Sequence, residues 1–335
     1  MPKFLILRFS SIGDIVLTSP VIRCLKQQVK GAEVHYCSKK SFLEIIEHNP
    51  FIDKRHYLED SLSHLISQLK KEKFDYIIDL HNNLRTFRIK AQLGVKSFSF
   101  NKINFEKWLM VNFKIDRLPR VHIVDRYMET VKLFGVVNDG KGLDYFLGPK
   151  EIKNADKIFG QLPESHRDKF IAFVIGAKHF TKQLLVEKIV SICNQIHQPI
   201  VFLGGKEDFE KGEQVIQSLN LRTPNSELHP FNACGKFSLN ESALLLKQAS
   251  KVITHDTGLM HIAAAFKKEI VSVWGNTVPE FGMYPYYGKS EIRNQKSEVR
   301  NLSCRPCTKI GFGKCPKKHF RCMKEISVDE IVKNL

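Results

Sequence analysis

Short apolar runs recur along the chain, each closed by a turn residue and followed by a stretch with helical spacing. The clearest are Phe4–Arg8, Val34–Cys37, Tyr76–Leu80, Phe170–Ile175, Ile200–Leu203, Val252–Thr254 and Ile270–Trp274. Each is a continuous run rather than an apolar–polar alternation, the pattern of strands covered on both faces by helices. After the first run, a turn at Ser11-Ile12-Gly13 leads into a helical pattern from about Asp14 to Val29. The alternation predicts an α/β protein built from βαβ units around parallel sheets.

The pattern loosens between Val137 and Arg167, where Asn138-Asp139-Gly140, Leu147-Gly148-Pro149 and Leu162-Pro163-Glu164 interrupt it, and a fresh strand–helix series begins near Lys169. This predicts two doubly wound domains, 1–158 and 159–335, with the last helix able to pack back on the N-terminal domain. Ligands of such folds bind at the carboxyl ends of the strands, here expected to face a cleft.

Composition changes the picture in one respect. Apolar residues at 43% and charged residues at 26% are ordinary for a globular protein, but 52 Lys and Arg against 35 Asp and Glu give a net charge of +17. From Arg85 to Arg120 nine basic residues face only Glu106 and Asp116, interleaved with Phe87, Phe98, Phe100, Phe105, Trp108 and Phe113. From Lys289 to Glu325 eleven face Glu291, Glu298 and Glu325. Such blocks suit solvated helix faces, a nucleic-acid groove or an anionic membrane surface. No window approaches the ~18 apolar residues of a membrane span, and Arg8 and Asp14 interrupt the N-terminal run as no signal peptide would allow. A cytoplasmic protein with reduced thiols is expected.

Candidate chemistry gathers where strands end. Ser11, Gly13 and Asp14 follow the first strand, where Asp14 is either a helix-start acid or a proton acceptor. His81, Asn82 and Arg85 follow the strand at Tyr76–Leu80 and supply more polar groups than a helix cap needs. The loop Gly176–Lys182 brings Thr181 and Lys182, suited to a diphosphate, without the Gly-Lys-Ser/Thr of a Walker motif. Glu207, after Gly204-Gly205, is placed to take a ribose or to start a helix. Asp256-Thr257-Gly258 opens an Ala-rich helix on which His261 shares a face with Thr257, one turn in, and helix-start amides hold anions. Cys304, Cys307, Cys315 and Cys322, with His319 nearby, raise a structural zinc, although their spacing differs from paired CxxC knuckles.

These segments in this order resemble the glycosyltransferase family 9 heptosyltransferases, which build the inner core of bacterial lipopolysaccharide. The resemblance runs through Arg8–Asp14, Asp79–Arg85, His122–Tyr127, Thr181-Lys182, Gly204-Gly205, Asp256–His261 and Val271–Thr277. It implies a GT-B fold of two Rossmann-like domains, with acceptor in the first and nucleotide sugar in the second. It further implies an ADP-heptose donor, inversion, and no cofactor or catalytic metal. Asp14 would be the general base, with Ser11, Gly13, His81, Asn82 and Arg85 on the acceptor side. Thr181 and Lys182 would meet the phosphates and Glu207 the ribose, while Asp256, Thr257, Gly258 and His261 hold diphosphate and sugar. The implied acceptor is an anionic lipid-linked glycan, met in transient contact with the inner membrane's cytoplasmic face, and no nucleic-acid partner is implied. A member using another nucleotide sugar, a GT-B-type sugar-nucleotide epimerase and a non-enzymatic membrane or nucleic-acid binder are the alternatives.

Overall fold

The computed structural model describes residues 1–220 and 230–335. The chain forms two compact units. The first comprises residues 1–103, 121–148 and 286–290, and the second 104–120, 149–285 and 291–335. The main division therefore falls after Gly148 rather than at 158. The basic block is also split, since Asn104–Arg120 counts with the second unit. The last helix, Val328–Val332, does as well, with Ile331 fully buried in that unit's core.

The first unit holds strands β1 (Lys3–Leu7), β2 (Glu33–Lys39), β3 (Lys54–Leu58), β4 (Tyr76–Asp79) and β5 (Lys96–Ser99), all parallel, in the order β3-β2-β1-β4-β5. Phe4, Leu5, Ile6 and Leu7 are wholly inaccessible, as a central strand covered on both faces requires. Full burial of each such side chain stabilises the fold by about 1.5–3 kcal/mol. The order reverses direction at β1 and β4, so the loops after these two strands share a topological switch point.

The single helix expected from Asp14 to Val29 is two helices, Ile12–Val16 and Ser19–Gln28. Pro20 is the cause. It lacks an N–H and fits only the first turn, so a new helix begins beside it, and the Thr18 hydroxyl donates to the Ile15 carbonyl at the break (2.6 Å). The polar stretch from Val137 is divided: residues up to Gly148 belong to the first unit, where buried Arg23 donates to Asp139 (2.8 Å) and to the Gly142 carbonyl (2.9 Å), and the rest belongs to the second.

The second unit holds β6 (Ile171–Val174), β7 (Ile200–Leu203), β8 (Phe231–Asn232), β9 (Lys251–His255), β10 (Ile270–Trp274) and β11 (Asn294–Glu298). They are again parallel, in the order β11-β10-β9-β6-β7-β8. Here β6 and β9 flank the switch point, which brings the loops after them together. The strands absent from the apolar pattern, β3, β5, β8 and β11, are the sheet edges, where one side faces away from the core and polar residues are tolerated. No helix among the described residues is long and apolar enough to cross a membrane.

Candidate active site

In the first unit the site grows from the end of β1. Asp14 lies in the first turn of the helix Ile12–Val16. One carboxylate oxygen meets the Arg8 guanidinium at 2.7 Å, and the other accepts the Ser11 hydroxyl (2.7 Å) and amide (3.1 Å). Arg8 is buried and fully engaged, donating also to the carbonyls of Ser10 (2.8 Å) and Leu80 (2.5 Å) and to the Tyr127 hydroxyl (2.9 Å). Burial opposes its charge, but Asp14 and the two phenols Tyr127 and Tyr36 more than offset this and hold its pKa above the ordinary arginine value. Arg8 side-chain exposure is 9% against 19% for Asp14, so the carboxylate is the accessible end of the pair. The result is a fixed, reachable proton acceptor.

The loop after β4 is organised by Asp79, fully buried, which accepts the amides of His81 (3.1 Å) and Asn82 (2.7 Å) and pairs with Lys90 (2.8 Å). Asn82 takes a left-handed backbone (φ 49°), which asparagine tolerates, and its side chain is tied to the Phe100 carbonyl (3.1 Å). Burial lowers the His81 pKa to about 4, with the charges of Arg8 and Lys102 adding to it, so the ring is neutral at neutral pH. Its Nδ1 has no hydrogen-bond partner among the described residues. Arg85 lays its guanidinium over the Phe9 ring at 5.2 Å. Gly13 is buried in the helix turn and supplies backbone space only. Arg8, Asp79 and Tyr127 hold this constellation in place. They lie inside the quoted motifs, but nothing in their spacing distinguishes them from their neighbours.

In the second unit the site forms at the switch point of β6 and β9. The Lys182 ammonium, in a short helical turn Phe180–Lys182, donates to Asp256 Oδ2 at 2.5 Å, and the Thr277 hydroxyl donates to the same oxygen at 3.1 Å. Asp256 directly precedes Thr257, which begins the helix Gly258–Ala265 without a side-chain cap bond. The first amides of that helix are donors without intrahelical partners. The Thr257 hydroxyl also lacks a partner among the described residues. His261 is buried one turn into the helix. A lysine after β6 and a helix start after β9 thus meet at the switch point, an arrangement that suits an anion.

Four residues outside the candidate set hold these loops. His255, wholly buried, accepts the Leu184 amide at Nε2 (3.0 Å), which puts the proton on Nδ1 and directs it to the Gly176 carbonyl (3.4 Å). Burial lowers its pKa to about 3, with Lys211 adding to the shift. Lys211 donates to the Ile175 carbonyl (3.2 Å) and Gln183 (3.1 Å), and burial pulls its ammonium down to about 8 against the opposing pull of Asp208. Asp208 presses against Gly176, where a Cβ would stand 1.9 Å from its carboxylate, so only glycine fits. Arg305 donates to the carbonyls of Gly275 (2.5 Å), Val299 (3.0 Å) and Thr277 (2.9 Å) and pairs with Glu298 (2.6 Å), fixing the turn that carries Thr277. Asn276 in that turn is 1% exposed with neither amide atom of its side chain bonded among the described residues.

Thr181 follows β6 and Glu207 follows β7. The Thr181 hydroxyl is 1%-exposed and spent on Phe312, donating to its carbonyl (3.1 Å) and accepting its amide (2.9 Å). It anchors the cysteine-rich segment. Glu207 is exposed beyond β7, while its neighbour Asp208 is the buried acid, accepting the Gly205 amide (2.9 Å).

The four late cysteines gather closely enough to act on one another's thiols, but no three of their sulfurs lie within 4.8 Å of one another. Cys304 Sγ lies 3.7 Å from His319 Nε2, and the Cys307 thiol donates to the Cys304 carbonyl (3.0 Å). Burial raises the Cys307 thiol to about 11 and the Cys322 thiol to about 12, each with help from neighbouring cysteines. Among the described residues the one converging group is His35, His56 and Glu72. There His35 Nδ1 and His56 Nε2 are hydrogen-bonded (2.9 Å) and Glu72 already holds the Lys54 ammonium (2.5 Å), so a cation is supplied from within the chain.

Residues 62–311 match glycosyltransferase family 9 (heptosyltransferase). Lipooligosaccharide heptosyltransferase 2 of Haemophilus influenzae is 36% identical over 317 residues, covering 83% of this chain and 85% of that protein. Lipopolysaccharide heptosyltransferase 1 of Campylobacter coli is 22% identical over 298 residues, covering 82% and 84%. A family 9 glycosyl transferase structure from Veillonella parvula superposes with a TM-score of 0.77 at 22% identity, covering 99% of this chain and 96% of that one. The E. coli ADP-heptose LPS heptosyltransferase II gives 0.73 at 16%, covering 99% and 97%. These superpositions show that the two sheets form the GT-B fold.

Proposed function

The chain belongs to glycosyltransferase family 9, and we propose that it moves a heptose from ADP-heptose to a lipopolysaccharide core acceptor, with inversion and without a catalytic metal or cofactor. The observation that carries this reading is the placement of Lys182 and the uncapped start of the helix Gly258–Ala265 at one strand switch point. That arrangement recognises a diphosphate, and the family relationship supplies the sugar.

The acceptor hydroxyl attacks the anomeric carbon as the bond to the diphosphate breaks, through an oxocarbenium-like state. The hydroxyl proton passes to Asp14, a step typically worth ~10²–10⁴-fold in rate. Arg8 and Ser11 hold the carboxylate in orientation. ADP departs with growing negative charge, which Lys182, His261 and the amides from Thr257 onward neutralise. Asp256, being anionic, acts by positioning Lys182 and Thr277 rather than by touching phosphate.

The acceptor is an anionic, lipid-linked glycan, which places the enzyme at the cytoplasmic face of the inner membrane with no nucleic-acid partner. The test is product formation from ADP-, UDP-, GDP- and CMP-sugars with a core-oligosaccharide acceptor. Transfer with inversion from ADP-heptose alone is expected. Transfer from another donor, or epimerisation of donor without acceptor, would replace the reading. Thermal stability gives a second measure, since a donor at ~100 times its Kd adds about 2.7 kcal/mol.

A further inference from the structure

The helix Asn104–Phe113 is the anomaly of the second unit. Its sequence, NFEKWLMVNF, is mostly apolar, yet none of its residues is buried. The helix Val186–Cys193 of the same unit buries four of its eight. Phe105, Trp108 and Phe113 are 64%, 50% and 58% exposed. They are not scattered, for Trp108 stacks on Phe105 (6.2 Å between centroids) and meets Phe113 edge-on (5.2 Å).

Both ends of this helix are tied to the cysteine-rich segment. Lys309 donates to Asn104 (3.4 Å), and Lys114 donates to the Pro306 carbonyl (2.8 Å). That segment adds Ile310 and Phe312, 55% and 40% exposed, to the same region. It also carries Lys309, Lys314, Lys317 and Lys318 with no acidic residue from Pro306 to Phe320. Exposed rings and aliphatic side chains thus occur together with lysines on the helix and on the loop tied to its ends.

We propose that the helix Asn104–Phe113 and the loop around residues 309–318 form the face that rests on an anionic lipid surface. Rings at the headgroup level with basic residues beside them are the composition of an interfacial membrane anchor. A second copy of this chain fits less well, because it would set one lysine-rich face against another, and juxtaposed like charges are costly. The proposal rests on the lipid-linked acceptor of the preceding section and names the surface that would bring the enzyme to it.

The protein carries its own reporter. Of its two tryptophans, Trp274 is 1% exposed within the sheet and Trp108 lies in the patch. Vesicles of phosphatidylcholine with about a third phosphatidylglycerol, near physiological surface charge, should shift the emission of the full-length protein to the blue. They should shield it from iodide, and brominated acyl chains should quench it. Pure phosphatidylcholine should bind at least about tenfold more weakly, and salt should weaken the anionic vesicles' hold.

Two variants test the two components: Phe105→Ser with Phe113→Ser, and Lys314→Glu with Lys317→Glu and Lys318→Glu. Each should cut vesicle binding and transfer to vesicle-embedded acceptor by about tenfold or more, while transfer to a lipid-free acceptor analogue and thermal stability stay unchanged. Vesicle binding with Trp108 still open to iodide would assign the contact to another face and overturn the proposal. Absence of vesicle binding alongside normal lipid-free transfer would overturn it while leaving the transferase reading intact. Insertion of Trp108 without transfer to any acceptor would support the surface and remove the transferase reading. Shielding of Trp108 that grows with protein concentration in the absence of lipid would assign the face to a second copy and overturn the proposal.

Discussion

The Lys182 ammonium and the Asp256 carboxylate, 74 residues apart in sequence, are 2.5 Å apart in the folded chain. Without a ligand, the cation meant for a diphosphate is held in place by this carboxylate. Lys182→Ala should therefore weaken ADP binding by about ten- to a hundredfold, the worth of one charge-assisted hydrogen bond at about 1.5–3 kcal/mol. His261→Ala should weaken it as well. Calorimetry with ADP alone decides the matter, and unchanged affinity in both variants would move the phosphate site elsewhere.

Asp14→Asn should reduce turnover by ~10²–10⁴ while leaving ADP affinity unchanged. Asparagine keeps the shape and can still meet Ser11, but it cannot take a proton and leaves Arg8 without its ion-pair partner. Retention of more than about a tenth of the wild-type rate would exclude Asp14 as the general base.

Arg305 ties β11 and the cysteine-rich segment to the turn Gly275–Thr277 through three carbonyls and Glu298. Arg305→Ala leaves three carbonyls without their donor and the half-buried Glu298 with only Arg300 at 3.7 Å, and should cost about 1–3 kcal/mol in denaturant unfolding. A weaker hold on ADP should accompany it, because Thr277 and Asp256 lose their fixed placement. A loss under about 1 kcal/mol would mean that the ion pair behaves as an exposed one.

His255 gives the fold a pH dependence of known sign. Its pKa is about 3 in the folded chain and ~6.5 in an unfolded one. Its contribution is complete above pH 6.5. Below that the unfolded chain takes up the proton first, and stability falls by up to about 1.4 kcal/mol per pH unit until the folded value is reached. His255→Asn should be less stable than wild type at pH 7, and the gap should close toward pH 4.5. A gap independent of pH would mean that His255 is charged or exposed in solution.

Activity should survive excess EDTA. In the proposed reaction the charge on the departing diphosphate is met by Lys182, His261 and helix amides, with no step assigned to a metal. Metal analysis of purified protein separates the outcomes. Zinc at one per chain with activity lost on chelation would overturn the metal-independent reading, and zinc without that loss would mark a structural site.

The sequence by itself determined the repeating strand–loop–helix plan and the loops that carry chemistry. Both follow from local causes. A strand buried on two faces must be a continuous apolar run, and the polar residues after it mark the strand's carboxyl end. Asp14, Lys182, Asp256 and His261 stand where that logic puts them.

Tertiary structure decided which neighbour faces outward. Thr181 and Lys182 are adjacent, yet one is locked on Phe312 and the other reaches Asp256. Glu207 and Asp208 are adjacent, yet the second is the buried acid that Gly176 accommodates. The edge strands escaped notice because an edge tolerates polar residues, and the break at Thr18 because helical periodicity continues across Pro20. The basic block of 85–120 looks continuous in sequence, but contacts assign its second half to the other unit. Apart from the break at Pro20, which has a local cause, the deciding partner lies far along the chain, and distance along a sequence says nothing of proximity until strand order is known.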